Sequence, residues 1–514
     1  MEKREKYFFI TLFILVFVIY GQSLFGGFVF DDRGIIEHAE LLSNPTNIKE
    51  VALYPYWDAD AGLYRPATLL SYAFNIIFLG GSAFSFHFIN LLLYFGICAA
   101  IYLLIKKLFN RKLAFITALL FLVLPIHTEV VANITGRSEL LALLFSLLTL
   151  LEFSEGKINW WRAGLWTFLA IGAKETAIAL VPLVGFLILI KEKGLNREIL
   201  EKYFRGVSAA VIGATLYLFI RFFALGPEHF LGVQTSLIEN PLLFASPLER
   251  IATAAGVLWM YVGKAIYPAN LCSDYSYDQI PVVSGFSEPA TIFGLLIFAF
   301  ACASIFLWKR KPIIAFAGAF FSVSFLLVSN FLFPIGTIAG ERLFFYSSVG
   351  FVLFFAFLLT KLPRRILPFV PLVIVVIYGS ISFQREALWT SEYKLFLNAA
   401  ECSPNSVLSL SNAGAAHYLE GNLTQAQKYL ERSREIKPIY SKGLNNLGLV
   451  YWKQGRLDDA EALYHESLKQ KYPYPGAIEN LILLNISERD EAGTLRWLRI
   501  MYPNVDDSVL RNLF

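Results

Sequence analysis

The chain has 514 residues, of which 56% are hydrophobic and only 16% are charged. Soluble proteins carry roughly 25% charged residues, so this composition excludes an ordinary soluble domain and indicates a protein that crosses a membrane many times. The net charge of +4 is too small to predict a nucleic-acid partner.

The first apolar stretch runs from Tyr7 to Leu24, behind a basic start at residues 3–6. A bilayer takes about 20 apolar residues, and the apolar core of a signal peptide is shorter than this stretch. Basic residues prefer the cytoplasmic side. We therefore expect a retained membrane anchor with its N-terminus in the cytoplasm.

Two adjacent carboxylates, Asp31 and Asp32, follow this anchor in a predicted outer loop spanning 26–63. A carboxylate at the membrane surface loses solvation and feels the charge of its neighbour, so the pair is costly unless it is used. The alternative is a polar cap on the first helix or a solvated loop.

Ten further crossings follow in chain order, and the predicted total is about eleven. The apolar piece 251–267 is excluded from this total, because a crossing there would put Lys309-Arg310-Lys311 on the outer side. It is predicted to be a re-entrant or interfacial helix. The resulting inner segments hold 20 Lys and Arg residues, whereas the outer segments up to residue 342 hold 8. This asymmetry predicts a C-terminus outside the cytoplasm.

From about residue 386 the composition becomes that of a soluble, helical domain. A 34-residue period is visible, because Gly414 recurs as Gly448 and Gly421 as Gly455. The predicted repeats lie near 407–440 and 441–474, with partial units on either side, and they resemble tetratricopeptide repeats. Such solenoids bind peptides in their concave face, which predicts a protein or peptide partner. A capping or assembly role is the alternative.

The unusual polar residues of the membrane part are all predicted at outer helix ends or in short outer loops. They are Asp31, Asp32, Arg65, His87, Asn90, His127, Glu129, Arg137, Glu139, Lys174, Glu175, Glu341 and Arg342. Any one of them alone would be read as a helix end or a structural ion pair. Arginine and lysine suit a phosphate, and a carboxylate suits removal of a proton from a hydroxyl. Together they predict a site for a lipid-phosphate sugar donor and a hydroxyl acceptor.

Several short segments of the chain resemble the transmembrane-and-TPR O-mannosyltransferases of the GT-C glycosyltransferase superfamily. They are Phe28-Val29-Phe30-Asp31-Asp32, Tyr64-Arg65-Pro66, 125–133, 136–142, Lys174-Glu175 and Glu341-Arg342-Leu343. The resemblance covers almost the whole chain. It implies an all-α protein, with a GT-C-like membrane helical bundle at 1–385 and an extracytoplasmic TPR domain at 386–514. It also implies transfer of mannose from dolichyl-phosphate mannose to protein Ser or Thr, with Asp31 as the catalytic carboxylate.

We therefore predict an inverting, polyprenyl-phosphate-sugar-dependent glycosyltransferase in the cell membrane of a prokaryote or in the endoplasmic reticulum. Asp31 is the predicted base and Asp32 its secondary partner. The predicted phosphate ligands are Arg65, Arg137, Lys174 and Arg342. The predicted acceptor or supporting residues are His87, Asn90, His127, Glu129, Glu139, Glu175 and Glu341. A divalent metal held by Asp31, Asp32, His127 and Glu129 is left open.

Two other classes of protein remain open at this point. A lipid-linked sugar transporter would place polar residues at mid-membrane rather than only at the outer rim. A membrane scaffold would recruit partners through its repeats without catalysis, and it would not need Asp31 and Asp32 near basic residues.

Overall fold

The computed structural model describes residues 3–37, 40–43, 47–57, 62–230, 235–470 and 474–511. Parts of the predicted loop 26–63, the end of the second predicted repeat and both chain ends therefore lie outside the described residues. Every regular element in the described ranges is helical, which confirms the all-α prediction. The described residues form two compact units, one mostly before residue 392 and the other mostly after it.

The first unit comprises Met1–Ser236, Leu242–Ser273 and Val282–Ser391. Its helices are α1 (Lys3–Tyr20), α2 (Glu40–Ser43), α3 (Ile48–Leu53), α4 (Pro66–Leu79), α5 (Ala83–Leu108), α6 (Arg111–Val123), α7 (Thr128–Ala132), α8 (Arg137–Ser154), α9 (Trp160–Ala173), α10 (Leu180–Glu192), α11 (Arg197–Leu225), α12 (Pro247–Ile266), α13 (Pro289–Ile305), α14 (Pro312–Leu326), α15 (Ser348–Leu359) and α16 (Phe369–Glu386). Proline stands in the first turn of α4, α12, α13 and α14, where its missing N–H costs no hydrogen bond.

Among the described residues, five helices are long and apolar enough to cross a membrane, or six if the bent pair α6–α7 is one span. Four shorter apolar helices accompany them. The chain is therefore an integral membrane protein. The number of eleven crossings stays a prediction, and so does the interfacial or re-entrant position of 251–267, which lies within α12.

A bend of 56° between α6 and α7 brings polar residues into the interior of this unit. Pro125 follows the end of α6, and proline cannot continue the hydrogen-bond ladder of a helix. The chain then forms α7, a 3₁₀ turn at Ile134–Gly136 and the start of α8, all of it buried. A Cβ at Gly136 would lie 2.1 Å from the Val130 carbonyl oxygen, so only glycine fits where this turn closes.

The second unit comprises Leu237–Pro241, Asp274–Pro281 and Glu392–Phe514. Its helices are α17 (Glu392–Cys402), α18 (Val407–Leu419), α19 (Leu423–Ile436), α20 (Ser441–Lys453), α21 (Leu457–Leu468), α22 (Gly476–Glu488), α23 (Glu491–Met501) and α24 (Asp507–Leu510). The pairs α18–α19, α20–α21 and α22–α23 are successive helical hairpins. A Cβ at Gly414 would lie 2.5 Å from Leu430, and one at Gly448 would lie 2.5 Å from Tyr464. The two glycines recur because paired helices touch there.

Candidate active site

Three of the predicted site residues, from three distant parts of the chain, form one ionic group. Oδ2 of Asp31 lies 3.1 Å from Nη1 of Arg342, and Oε1 of Glu129 lies 3.6 Å from the same nitrogen. The backbone N–H of Arg342 also donates to Oε2 of Glu129 at 2.9 Å. Arg342 therefore joins the loop after α1 to the buried helix α7.

The Arg342 guanidinium is only partly used by these contacts. Its side chain is 34% exposed and that of Asp31 is 25% exposed, whereas Glu129 is buried at 2%. Within the described part of the chain, the hydrogen bonds and ion pairs of this guanidinium all involve Nη1, which leaves the edge formed by Nε and Nη2 unpaired. Burial alone would lower the pKa of Arg342, but Glu129, Asp31 and Glu139 raise it above its ordinary value.

Asp32 points elsewhere and is fully buried. Its Oδ1 accepts from the backbone N–H of Thr135 at 2.9 Å, and its Oδ2 accepts from that of Val29 at 3.3 Å. It therefore ties the loop after α1 to the 3₁₀ turn at Ile134–Gly136. Burial raises the pKa of Asp32 to about 7, although the two backbone N–H donors oppose this shift.

The raised pKa of Asp32 predicts that stability depends on pH. Because the folded protein holds this proton more tightly than the unfolded chain does, the contribution of Asp32 to stability is greatest below about pH 4 and is lost as the pH rises through about 7. We expect the unfolding temperature of the protein in micelles to drop by several degrees between pH 5 and pH 7.5 because of this group. Asp32→Asn should lessen that drop, and an identical pH dependence in both proteins would contradict the assignment.

Two of the four predicted phosphate ligands, Lys174 and Arg65, form ion pairs with carboxylates. Lys174 forms a buried ion pair with Glu139, at the end of α9 and the start of α8 respectively. Nε of Arg65 lies 3.1 Å from Oε2 of Glu175, whose Oε1 lies 3.3 Å from Nη1 of Arg221. Burial alone would raise the pKa of Glu175, but the two arginines lower it. Lys174 thus has a carboxylate of its own, whereas Arg65 shares Glu175 with Arg221.

Arg137, the fourth, is buried without exposed surface and is surrounded by neutral partners. Its Nε donates to Asn90 at 2.8 Å, and its Nη2 donates to Asn75 at 3.1 Å and to the Phe86 carbonyl at 2.8 Å. It also lies 5.1 Å from the centre of the Tyr72 ring. These contacts join α4, α5 and α8, which indicates a structural role for Arg137.

Arg137→Lys should therefore destabilise the membrane unit. A lysine ammonium cannot reproduce the planar fork that reaches both Asn90 and Asn75, and the amide oxygens left unpaired in the interior each cost about 1–3 kcal/mol. The matched control is Arg162→Lys, since Arg162 is 51% exposed and lies 3.7 Å from its carboxylate partner. Thermal unfolding in micelles should separate the two variants clearly, and equal stability would contradict the structural role.

Neither predicted histidine forms a hydrogen bond or ion pair with Asp31 among the described residues. Both ring nitrogens of His127 are engaged, Nδ1 with Tyr94 at 3.0 Å and Nε2 with Ser348 at 2.8 Å. His87 is fully buried in α5, one turn before Asn90. These positions place both histidines in the helical packing of the first unit.

The residues considered for a metal are not arranged as a ligand set. In the described ranges, no group of three or more His, Cys, Asp or Glu side chains is placed to hold a metal ion. Arg342 occupies the position between Asp31 and Glu129 that a cation would take. His127 is committed to Tyr94 and Ser348.

The ion-pair partner of Glu341 is Arg385, which was not among the residues predicted from the sequence. Glu341 is fully buried, and its Oε2 lies 3.0 Å from Nη2 of Arg385 near the end of α16. Its Oε1 accepts from the backbone N–H of Cys272. The signal in the sequence was an arginine in the last turn of an apolar helix. The ion pair holds the 3₁₀ turn Glu341–Phe344, and therefore Arg342, in place.

Two apolar cavities flank α15, which begins shortly after Arg342 in the chain. One, of about 320 Å³, is lined by residues of α12, α13, α14 and α15. The other, of about 210 Å³, lies among α6, α12, α15 and α16. Phe351 and Phe355 of α15 line both cavities. The space beside this helix is thus suited to a hydrocarbon chain.

Comparison with known proteins agrees with the helical membrane unit and the repeats. The family model of dolichyl-phosphate-mannose-protein mannosyltransferase matches residues 67–223, and a tetratricopeptide-repeat model matches 443–469. A solved oligosaccharyltransferase from Archaeoglobus fulgidus covers 84% of this chain and 60% of its own at 13% identity, with a TM-score of 0.39, which is too low to assign the fold.

Three curated relatives carry the same kind of name. Protein O-mannosyl-transferase TMTC3 of Homo sapiens is 27% identical over 473 residues, covering 84% of this chain and 51% of the relative. The Drosophila melanogaster Tmtc3 protein is 24% identical, covering 85% and 56%, and human TMTC4 is 27% identical, covering 80% and 64%. The chain spans about half the length of the first of these. The resemblance drawn from the sequence motifs is therefore confirmed: over most of its length this chain is similar to the protein O-mannosyl-transferases.

Proposed function

We propose that this protein is an inverting membrane glycosyltransferase. It moves a sugar, mannose by analogy with its relatives' names, from a polyprenyl- or dolichyl-phosphate donor to a Ser or Thr hydroxyl of a protein acceptor. The observation that carries the proposal is the pair formed by Arg342 and Asp31. Arg342 is a partly exposed guanidinium whose Nε and Nη2 have no partner among the described residues, and it lies next to a partly exposed carboxylate.

Arg342 is the best-placed ligand for the donor phosphate. Guanidinium groups bind phosphate through two parallel N–H bonds, and the Nε and Nη2 edge of Arg342 offers such a fork. The cavities beside α15 supply an apolar space for the lipid chain of the same donor. Arg65 and Lys174 are already paired with carboxylates, and they contribute to the field around the phosphate rather than to its direct contacts.

Asp31 is the proposed base. The acceptor oxygen forms a bond to the anomeric carbon while the bond from that carbon to the phosphate oxygen breaks. The hydroxyl proton passes to Asp31, and the polyprenyl phosphate leaves with the bonding electron pair, which Arg342 stabilises. Glu129 acts as a positioning residue, because it holds both the backbone and the guanidinium of Arg342.

Donor binding also prepares the base in this proposal. Without donor, Asp31 pairs with Nη1 of the Arg342 guanidinium. A phosphate on the other edge of the guanidinium shares the positive charge, which loosens the ion pair and leaves Asp31 free to accept the proton of the acceptor hydroxyl. The site would therefore remove a proton only when a sugar is ready to receive the oxygen.

We further propose that the N-terminus lies in the cytoplasm and that Asp31 and the repeats lie on the extracytoplasmic side. The 20-to-8 distribution of Lys and Arg supports this orientation. The repeats are proposed to hold the protein acceptor, as solenoids commonly bind peptides in their concave face.

The test is a transfer assay with the purified chain in lipid nanodiscs. Labelled mannosyl-phosphoryl-polyprenol and a Ser/Thr-rich protein acceptor should give labelled protein, with the configuration at the anomeric carbon inverted. Movement of the labelled lipid across vesicles without transfer would favour a transporter instead. If the protein neither transfers the sugar nor moves the labelled lipid, the result would favour a scaffold.

A further inference from the structure

His127 is a buried polar residue that the proposed mechanism does not use. It ends the 3₁₀ turn Pro125–His127, two residues before Glu129, and it has no exposed surface. Its ring lies edge-on to that of Phe345, with ring centres 4.8 Å apart, and 4.4 Å from the ring centre of Phe121. Burying an imidazole is costly unless its nitrogens are satisfied, so its hydrogen bonds show what it holds.

The contacts of this ring fix the position of its proton. Nδ1 lies 3.0 Å from the carbonyl oxygen of Phe121, and a carbonyl can only accept. Nδ1 therefore carries the proton, and the Tyr94 hydroxyl, also 3.0 Å from Nδ1, has carbonyl acceptors of its own. All partners of the ring are neutral, which leaves Nε2 of a neutral imidazole as an acceptor. Nε2 lies 2.8 Å from the Ser348 hydroxyl, its only hydrogen-bond partner in the described ranges, so Ser348 donates to His127.

This hydrogen bond connects the same two segments as the ion pair of Glu129 with Arg342. His127 directly precedes α7, which carries Glu129, and Ser348 begins α15, six residues after Arg342. The 3₁₀ turns Pro125–His127 and Glu341–Phe344 also pack on each other. Two separate bridges therefore join these segments, one ionic and partly exposed, the other neutral and fully buried.

We propose that His127 is a positioning residue for Arg342. Glutamate and arginine are long, flexible side chains, so the ion pair of Glu129 with Arg342 tolerates several separations of their backbones. The bond between His127 and Ser348 joins two shorter side chains that have no exposed surface, and it fixes that separation. Nε and Nη2 of Arg342 are then presented in one orientation, and a phosphate binds with a smaller loss of side-chain freedom.

The inference rests on the proposed function only in taking the donor phosphate as the ligand of Arg342. The bond between His127 and Ser348 itself requires neither donor nor catalysis. Its contribution to joining the two segments can therefore be measured even if the protein binds no lipid phosphate.

The experiment compares two substitutions that each keep one half of the imidazole. His127→Gln places its amide near the position of Nε2, where the oxygen can accept from Ser348. His127→Asn is one carbon shorter, so its amide can donate to Phe121 but does not reach Ser348. In nanodiscs, His127→Asn should bind a fluorescent short-chain polyprenyl phosphate roughly fivefold more weakly, the effect of one neutral hydrogen bond. His127→Gln should bind it about as well as wild type.

Ser348→Ala should reproduce the loss seen in His127→Asn. The double variant should lose no more than either single variant, because both remove the same bond. Ser347→Ala is the matched control: Ser347 is also fully buried, and its hydroxyl donates to the Phe344 carbonyl at 3.0 Å within its own turn. It should bind as wild type, and an equal loss in Ser347→Ala would overturn the inference.

Two readouts do not depend on the donor. In NMR spectra of protein labelled at its histidine nitrogens, the His127 signal, identified by its absence in His127→Gln, should show a protonated Nδ1 and an unprotonated Nε2. The unfolding temperatures of His127→Asn, Ser348→Ala and the double variant should again be non-additive.

A protonated Nε2, additive losses in the double variant, or wild-type affinity in His127→Asn would each overturn the inference. If wild type binds no polyprenyl phosphate while the unfolding temperatures are non-additive, the proposed function fails and the role of His127 in joining the two segments stands.

Discussion

Asp31→Asn should lower the turnover of sugar transfer about 10²–10⁴-fold, the usual effect of removing a general base. Asparagine keeps the size of the side chain and can still accept from Arg342, but it cannot take the acceptor proton. Asp31 is the carboxylate of the adjacent pair that is partly exposed and paired with Nη1 of Arg342. The measurement is single-turnover transfer of labelled sugar with donor at saturation.

Asp32→Asn is the control for this prediction, because Asp32 is buried and holds two backbone N–H groups rather than solvent or substrate. Its loss should appear first as lower stability, with transfer per folded molecule reduced much less. If Asp31→Asn transfers normally while Asp32→Asn is inactive and folded, the two roles are reversed. If both transfer normally, the carboxylate pair only caps the first helix.

Arg342→Lys should weaken binding of the polyprenyl-phosphate sugar by roughly tenfold or more. A charge-assisted hydrogen bond is worth about 1.5–3 kcal/mol, and lysine keeps the charge while losing the planar fork. Arg342→Met should lose more, because it also leaves Glu129 buried without its cation. Donor affinity can be measured with a fluorescent short-chain polyprenyl phosphate.

Arg65→Lys is the matched control for the arginine fork. Arg65 is paired with Glu175 through Nε, lies 4.7 Å from the Tyr56 ring centre, and has a side chain that is only 14% exposed, against 34% for Arg342. We expect its effect on donor affinity to be smaller than that of Arg342→Lys. An equal loss in both variants would mean that Arg65 also contacts the phosphate, and unchanged affinity in Arg342→Lys would show that Arg342 is only an ion-pair partner.

The sequence predicted the helical class and the repeats because both depend on local patterns. Long apolar stretches exclude water along their length, and the recurrence of Gly414 at Gly448 reflects a close helix contact that each repeat must make again. Such signals lie within one segment and need no knowledge of what that segment packs against.

The pairing of the charged residues could not be predicted in the same way. Asp31, Glu129 and Arg342 meet across more than three hundred residues of chain, since the Asp31–Arg342 contact alone spans 311 positions. The sequence alone did not distinguish among the four predicted phosphate ligands, Arg65, Arg137, Lys174 and Arg342. The fold reveals that Arg65 and Lys174 pair with carboxylates and that Arg137 is held by amides. It also reveals that Nε and Nη2 of Arg342 have no partner in the part of the chain that the structure describes.

In the proposed mechanism the donor phosphate and Asp31 both bind the guanidinium of Arg342 and compete for its charge. The affinity of the Asp31→Asn variant for the donor measures this competition. If the claim is right, removing the competing carboxylate should tighten binding of the polyprenyl-phosphate sugar, although transfer is lost. A partly exposed ion pair is worth about 0.2–1 kcal/mol, so the gain should be up to roughly fivefold. Weaker donor binding by Asp31→Asn than by wild type would contradict the account, because Asp31 would then hold the donor instead of competing with it.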